Sequence, residues 1–218
     1  DHLFCARSET SVAVTHSPLQ RELQKTRKRS SGATPEDAFN KARRIWLKGE
    51  RLHLADLAED LGIGRATLFR WVGNKDLLLG DILWSLYLPI RNSIVASTSG
   101  TGVDFIVEVY RRINIELISS KPLQEFVKQD PEHALRVLTS SASTMHGRVV
   151  EANTLMIQEQ IDKGYLKRPP MRVESLSYFM VRLAESCLYS DVILGREPNV
   201  EEVEEACLAV RILLGGKP

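Results

Sequence analysis

The sequence predicts an all-α protein: a small N-terminal helix-turn-helix unit of three helices, followed by a larger helical body. Three observations lead there. From Thr34 onward apolar residues recur at i, i+3, i+4 and i+7, and the period-two alternation of strands is nearly absent. Glycine and proline mostly separate these periodic segments instead of interrupting them. Residues 54–78, LADLAEDLGIGRATLFRWVGNKDLL, hold two short helical patterns parted by Gly62-Ile63-Gly64, and the second is too short to be stable alone.

Taken in order, residues 1–33 carry Ser, Thr and charge without a sustained period and read as a flexible basic tail. Its end holds Arg21, Lys25, Arg27, Lys28 and Arg29, which either solubilise the chain or reach along a nucleic-acid backbone or minor groove. Thr34 suits an N-cap, Pro35 the first helical position, and Glu36 and Asp37 the positive end of the helix dipole. Ala38, Phe39, Ala42, Ile45 and Trp46 form that helix's apolar stripe, and Gly49 ends it. Leu54, Leu57, Ala58 and Leu61 mark a second helix, with Asp56, Glu59 and Asp60 on its other face. Arg65–Val72 is the third. GNKD opens a long fourth helix at Asn74 or Lys75 that runs to Ser97, with a kink expected at Pro89.

After the STSGTG loop, a helix over Val103–Ile118 carries Phe105, Val109, Ile113 and Leu117 on one face. Short helices over Leu123–Lys128 and Pro131–Leu138 precede a longer one over Met145–Lys163, which stops at Gly164. The last two span Val173–Leu194 and Val200–Leu214, the latter entered through Asn199 and Glu202 as a reciprocal cap. The expected organisation is a tail over 1–33, a helix-turn-helix domain over 34–80, and a larger helical body over 81–218. The long helix crosses the second boundary and would couple the two.

Composition narrows the classes. With 43% hydrophobic and 26% charged residues the chain resembles ordinary soluble proteins. No apolar run reaches the roughly 18 residues of a membrane span, and no apolar h-region argues for secretion. Cys5, Cys187 and Cys207 are dispersed and odd in number, which fits a reducing compartment and neither a disulfide frame nor a zinc site. A cytoplasmic protein without metal, cofactor or membrane partner is expected. The net charge of +1 hides an asymmetry: residues 21–80 hold 13 Lys/Arg against 8 Asp/Glu, whereas residues 81–218 hold 15 against 18. A local positive field is the footprint of a polyanion binder.

The chemistry of residues 54–78 follows from their order. Gly62 can take the left-handed conformation of the sharp turn, and Ile63 anchors that turn by burial. Leu68 and Val72 face back onto Leu57 and Leu61. That leaves Arg65, Ala66, Thr67 and Arg70 for a partner, and the N-terminal residues of such a helix enter the major groove. Arg65 suits guanine or phosphate, Thr67 a base or phosphate, and Ala66 allows close approach. Lys75 would meet phosphate at the start of the fourth helix.

LHLADLAEDLGIGRATLFRWVGNKDLLL resembles the DNA-binding signature of TetR-family transcriptional regulators. Leu57-Ala58 with Gly62-Ile63 matches the second helix and turn, Thr67-Leu68-Phe69-Arg70 the recognition helix, and Gly73, Lys75, Leu77 and Leu78 the start of the fourth helix. The chain is also similar in flavour to the lactone-responsive QsdR-like members. It departs from the pattern at His53 and Gly64, where the family usually has Ser or Thr caps, and at Phe69 and Trp71. Gly64 would cost one phosphate contact, and Phe69 cannot hydrogen-bond phosphate. Trp71 either packs under the motif or lies against the sugar–phosphate backbone with its N–H donating.

For the body, the resemblance implies a small-molecule chamber and a dimer face. Tyr110, Asn114, His133, His146, Asn153, Tyr178, Arg182 and Glu185 are polar residues in apolar helices and are the candidate ligand contacts. Arg182 and Glu185 could equally pair with each other. An acyl or lactone-like effector suits such a pocket. Leu176, Phe179, Leu183, Val203, Cys207 and Val210 are the candidate dimer face, pairing the last two helices with those of a second subunit.

The sequence therefore reads as a ligand-responsive repressor that binds a near-palindromic operator as a homodimer. The alternative is a helical protein–protein adaptor that has lost DNA binding. Catalysis is not expected: there is no Glu-x-x-His, His-x-x-x-His, Gly-x-Ser-x-Gly or Gly-rich phosphate loop, and Glu132-His133 are adjacent instead of helix-spaced.

Overall fold

The computed structural model describes residues 16–25, 32–190, 192 and 197–217. Eleven helices account for most of them: α1 (Pro18–Gln24), α2 (Pro35–Leu47), α3 (Leu54–Asp60), α4 (Arg65–Val72), α5 (Lys75–Ser97), α6 (Gly102–Ser119), α7 (Lys121–Gln129), α8 (Pro131–Thr139), α9 (Met145–Asp162), α10 (Val173–Leu188) and α11 (Val200–Leu213). No strand occurs among the described residues.

The helices begin where their caps dictate. Thr34 and Asp37 form a reciprocal box at the start of α2, with Asp37 N–H donating to Thr34 Oγ1 at 3.2 Å and Thr34 N–H to Asp37 Oδ2 at 2.9 Å. Asn74 Oδ1 accepts from Leu77 N–H at 2.8 Å and sets the first turn of α5. At α11 only half of the expected box forms. Asn199 accepts from Glu202 N–H at 2.9 Å, but the Glu202 carboxylate accepts from Ser190 Oγ instead.

One expectation fails at the N-terminus. Residues 18–24, read as part of a flexible tail, are helical and packed. Ser17 and Gln20 form a capping box, Pro18 occupies the first turn, and Leu19 is buried. Ser17 Oγ also donates to Asp81 Oδ2 at 2.6 Å, and α1 lies on α2 and α4. The arm residues Arg27, Lys28 and Arg29 lie outside the described residues, as does Cys5; Arg21 and Lys25 are exposed.

α1–α4 form a cluster at one end, and α5 leaves it to run into the body. The chain continues as helix through Pro89, whose missing N–H leaves the Ser85 carbonyl without its helical donor. α6 and α10 pack on each other and on both α9 and α11, and α7 and α8 fold as a short hairpin against α5, α6 and α9. Leu78, Ile82, Ile106, Val109, Ile157, Leu176, Met180, Val203 and Val210 fill the centre. Each such side chain contributes about 1.5–3 kcal/mol by leaving water. The close approach of α5 to the α8–α9 loop requires Gly80, where a Cβ would stand 2.8 Å from Ser143.

A buried ion pair ties the cluster to the body. Arg148 Nη2 of α9 donates to Asp81 Oδ1 of α5 at 2.7 Å, and Asp81 also accepts from Ser17. Burial raises the Asp81 carboxyl above its ordinary range, against the lowering effect of the Ser17 and Arg148 hydrogen bonds. No helix among the described residues is long and apolar enough to cross a membrane.

Candidate functional site

The reading unit is built around the turn between α3 and α4. Gly62 has φ 63°, and its N–H donates to Glu59 O at 2.9 Å while Ile63 N–H donates to Ala58 O at 3.0 Å. These two bonds form a Schellman motif, which satisfies the last carbonyls of α3 and swings the chain into α4. Ile63 is half-buried against the core. Leu57, Ala58, Leu68 and Val72 are buried and hold α3 and α4 together. Lys41 of α2 and Asp60 of α3 add an ion pair of 2.7 Å. At the far end Gly73 takes φ 76° and lies close under Pro18, whose Cγ a Cβ would meet at 3.0 Å.

With its inner face fixed, α4 presents Arg65, Ala66, Phe69 and Arg70 to solvent, with Thr67 half-buried. Gly64 is the N-cap and supplies no side-chain bond, as is also true of His53 at α3. The first N–H groups of α4 therefore remain open to an acceptor from outside. Lys75 is half-exposed at the first position of α5. Among the described residues neither Arg65, Arg70 nor Lys75 makes a side-chain hydrogen bond or ion pair, so their charges are available to a polyanion. Trp71 is different. It is 3% exposed, one of the two readings open to it, and its place in the core removes it from the set of DNA contacts. Phe69, in contrast, is 48% exposed.

A cavity of about 470 Å³ lies in the body. Leu83, Leu86, Val109, Ile113, Val149, Met156 and Met180 give it a largely apolar wall. Five of the eight candidate ligand residues line it: Tyr110, Asn114, His146, Asn153 and Glu185. Tyr110 Oη donates to Met180 O at 3.2 Å, and Asn114 Nδ2 to Tyr110 O at 2.7 Å. His146 Nδ1 meets Glu185 Oε1 at 2.9 Å. Asn153 is buried, and its side chain makes no hydrogen bond among the described residues. Burial pushes the Tyr87 hydroxyl up to about 12 and those of Tyr110 and Tyr189 higher, so all three stay neutral.

The other three candidates lie elsewhere. His133 Nε2 meets Asp76 Oδ1 at 2.8 Å and joins α8 to α5. Tyr178 is exposed on the surface, and Arg182, also exposed, pairs with Glu185 Oε2 at 2.6 Å. The i, i+3 spacing already allows that pairing. Sequence periodicity misses the contribution of α2: Arg43, Trp46 and Leu47 line the cavity, so the N-terminal cluster supplies part of its wall. Trp46 is legible in the sequence only as a core residue. Tyr87 and Tyr189 also reach the cavity; Tyr189 Oη is buried without a partner.

The expected dimer face also needs correction. Leu176, Val203, Cys207 and Val210 are buried in this chain's own core, because α10 and α11 pack on α6 and on each other. Leu183 is half-buried, and Phe179 is exposed. The outward apolar and aromatic residues of these helices are Tyr178, Phe179, Val200, Leu208 and Ile212.

Residues 101–215 match the family model described as Tetracyclin repressor-like, C-terminal domain. Among solved structures, the transcriptional repressor QsdR of R. erythropolis, from the TetR family, is 30% identical with a TM-score of 0.75, and the alignment covers 84% of this chain and 95% of that one. Thermus thermophilus FadR, a TetR-family repressor in complex with lauroyl-CoA, is 17% identical with a TM-score of 0.58, covering 84% of this chain and 94% of that one; it shares the fold. No curated protein matches the chain. The helix-turn-helix cluster, the helical body and these matches agree: the chain belongs to the TetR family of non-enzymatic, DNA-binding transcriptional regulators.

Proposed function

We propose that this protein is an effector-responsive repressor that binds a near-palindromic DNA operator as a homodimer. Residues 34–80, braced by α1, form the DNA-reading domain, and residues 81–218 bind the effector and the second subunit. Arg65 and Thr67 read base edges or phosphate, Ala66 permits close approach, Arg70 and Lys75 grip phosphate, and the bare N-terminus at Gly64 offers backbone N–H groups. Two copies of α4 would stand roughly one helical turn, 34–36 Å, apart. Phe179, Leu208 and Ile212 are suited to the dimer face because they are exposed and apolar.

The observation that carries this reading is a shared wall. The cluster that turns unpaired Arg65, Arg70 and Lys75 outward also closes one side of the cavity with Trp46 and Leu47. A small, largely apolar molecule, acyl or lactone-like, that fits the cavity better in the DNA-incompetent arrangement shifts the population off the operator. The protein then acts in the cytoplasm, where the operator and the effector meet.

Gel shift with a duplex selected from a random library tests the proposal. Wild-type protein should retain the selected duplex as a dimer. A Val149→Trp variant, with its cavity filled, should bind DNA but ignore effectors. A protein that remains monomeric and selects no sequence overturns the reading and favours the adaptor.

A further inference from the structure

Arg43 stands on α2 one turn before Trp46 and Leu47, and lines the cavity with them. Its Nε is buried without a hydrogen-bond partner, and among the described residues its guanidinium makes no ion pair. Glu116 lines the same cavity but is exposed and does not pair with it. A buried Nε–H without an acceptor is unfavourable, and a planar carboxylate can relieve it through two parallel N–H···O bonds from Nε and a terminal nitrogen. The neighbouring wall, with Leu83, Leu86, Val149 and Met156, suits hydrocarbon.

We infer that the effector is an acidic amphiphile, with its hydrocarbon chain in the cavity and its carboxylate on Arg43. The inference rests on the reading of this cavity as the effector site. It gives the ligand a direct hold on the DNA-reading unit, because the residue that takes the acidic head belongs to α2. The free-energy difference that moves the unit is then the Arg43–carboxylate contact itself, made in one arrangement and strained in the other.

Calorimetric titration of the full chain with decanoate and with decanol, which share a chain and differ in the head, tests this. Wild-type protein should bind decanoate about tenfold more tightly than decanol, a difference of about 1.4 kcal/mol. Arg43→Gln should abolish that preference by weakening decanoate far more than decanol, and decanoate should release wild-type protein but not Arg43→Gln from its operator. An equal decanoate-to-decanol ratio in the two proteins overturns the inference while leaving the cavity reading intact. Failure of both amphiphiles to bind wild-type protein overturns the cavity reading with it. Arg43→Lys, which keeps the charge and loses the planar fork, covers a folding defect in Arg43→Gln: it should retain only part of the preference, and a full preference counts against the bidentate contact.

Discussion

Asp76 and His133 join the start of α5 to α8 through a 2.8 Å contact between Asp76 Oδ1 and His133 Nε2. Asp76 follows Lys75, so the residue proposed to grip phosphate is next to the residue that fastens the body. Arg136 reaches the same carboxylate at 3.1 Å, and the His133 ring lies edge-on to Phe126, which in turn lies edge-on to Trp46. Asp76, Phe126, His133 and Trp46 thus clamp the α7–α8 hairpin onto both α2 and α5. His133→Ala should lower stability by about 1.5–3 kcal/mol, the net worth of a hydrogen bond to a charged group. It should leave effector affinity unchanged, because His133 is not a cavity residue, and weaken the release of DNA by effector. Denaturant unfolding and effector-dependent gel shift check the two halves.

The two aromatic neighbours in α4 should separate cleanly. Trp71→Ala empties a core site and should cost about 3–5 kcal/mol of stability. Phe69→Ala removes an exposed ring and should leave stability within about 0.5 kcal/mol of wild type. Thermal melts of the two variants measure the difference, and equal effects would place Trp71 outside the core.

Removing Asp81 should be severe. Asp81→Ala leaves Arg148 buried and without its counter-charge, which should cost about 3–5 kcal/mol. Replacing both partners, Asp81→Ala with Arg148→Met, should recover much of that loss, since two apolar groups leave no stranded charge. Urea unfolding of the single and double variants reads this out; a double variant no better than the single would contradict it.

The division between what the sequence discloses and what it hides follows physical lines. Caps and periodicity are local, so Thr34, Asn74, the Gly62 turn and the apolar stripes place α2–α6 within a residue or two. α1 is hidden by its length: seven residues with Leu19 and Leu23 show no period, although Ser17, Pro18 and Gln20 spell a cap. Which side of a helix meets its own core and which meets a partner is not local. Leu176, Val203 and Val210 fit an apolar face equally well in either role, and only the packing of α10 and α11 on α6 and on each other decides it. The cavity residues divide in the same way. Asn114 and Asn153 are legible as polar interruptions of apolar helices, while Arg43 reads as one more basic residue on a charged helix until α2 is folded against the body.

The buried thiols give a pH-dependent test. Burial, reinforced by Glu204, pushes the Cys207 thiol from 9.0 up to about 12, and burial raises Cys187 as well. The folded protein therefore holds these protons more tightly than the unfolded chain. Their contribution to stability is complete below the unfolded thiol's pKa and is lost as pH rises from there toward about 12. Cys207→Ala should make the fall in stability over that range shallower, as urea unfolding at stepped pH will report. In a Cys5→Ser background neither remaining thiol should react with Ellman's reagent until the protein unfolds.

The central claim is that α4 reads DNA, and the salt dependence of duplex binding tests it most directly. Fluorescence anisotropy with a library-selected duplex and a scrambled one compares wild type, Arg65→Ala and Lys75→Ala. Lys75→Ala should weaken binding to both duplexes and reduce the magnitude of the salt slope by about 1 for each phosphate it no longer neutralises. Arg65→Ala should cost about 1–3 kcal/mol on the selected duplex and narrow its advantage over the scrambled one. Unchanged affinity and unchanged salt slope in both variants would contradict the account.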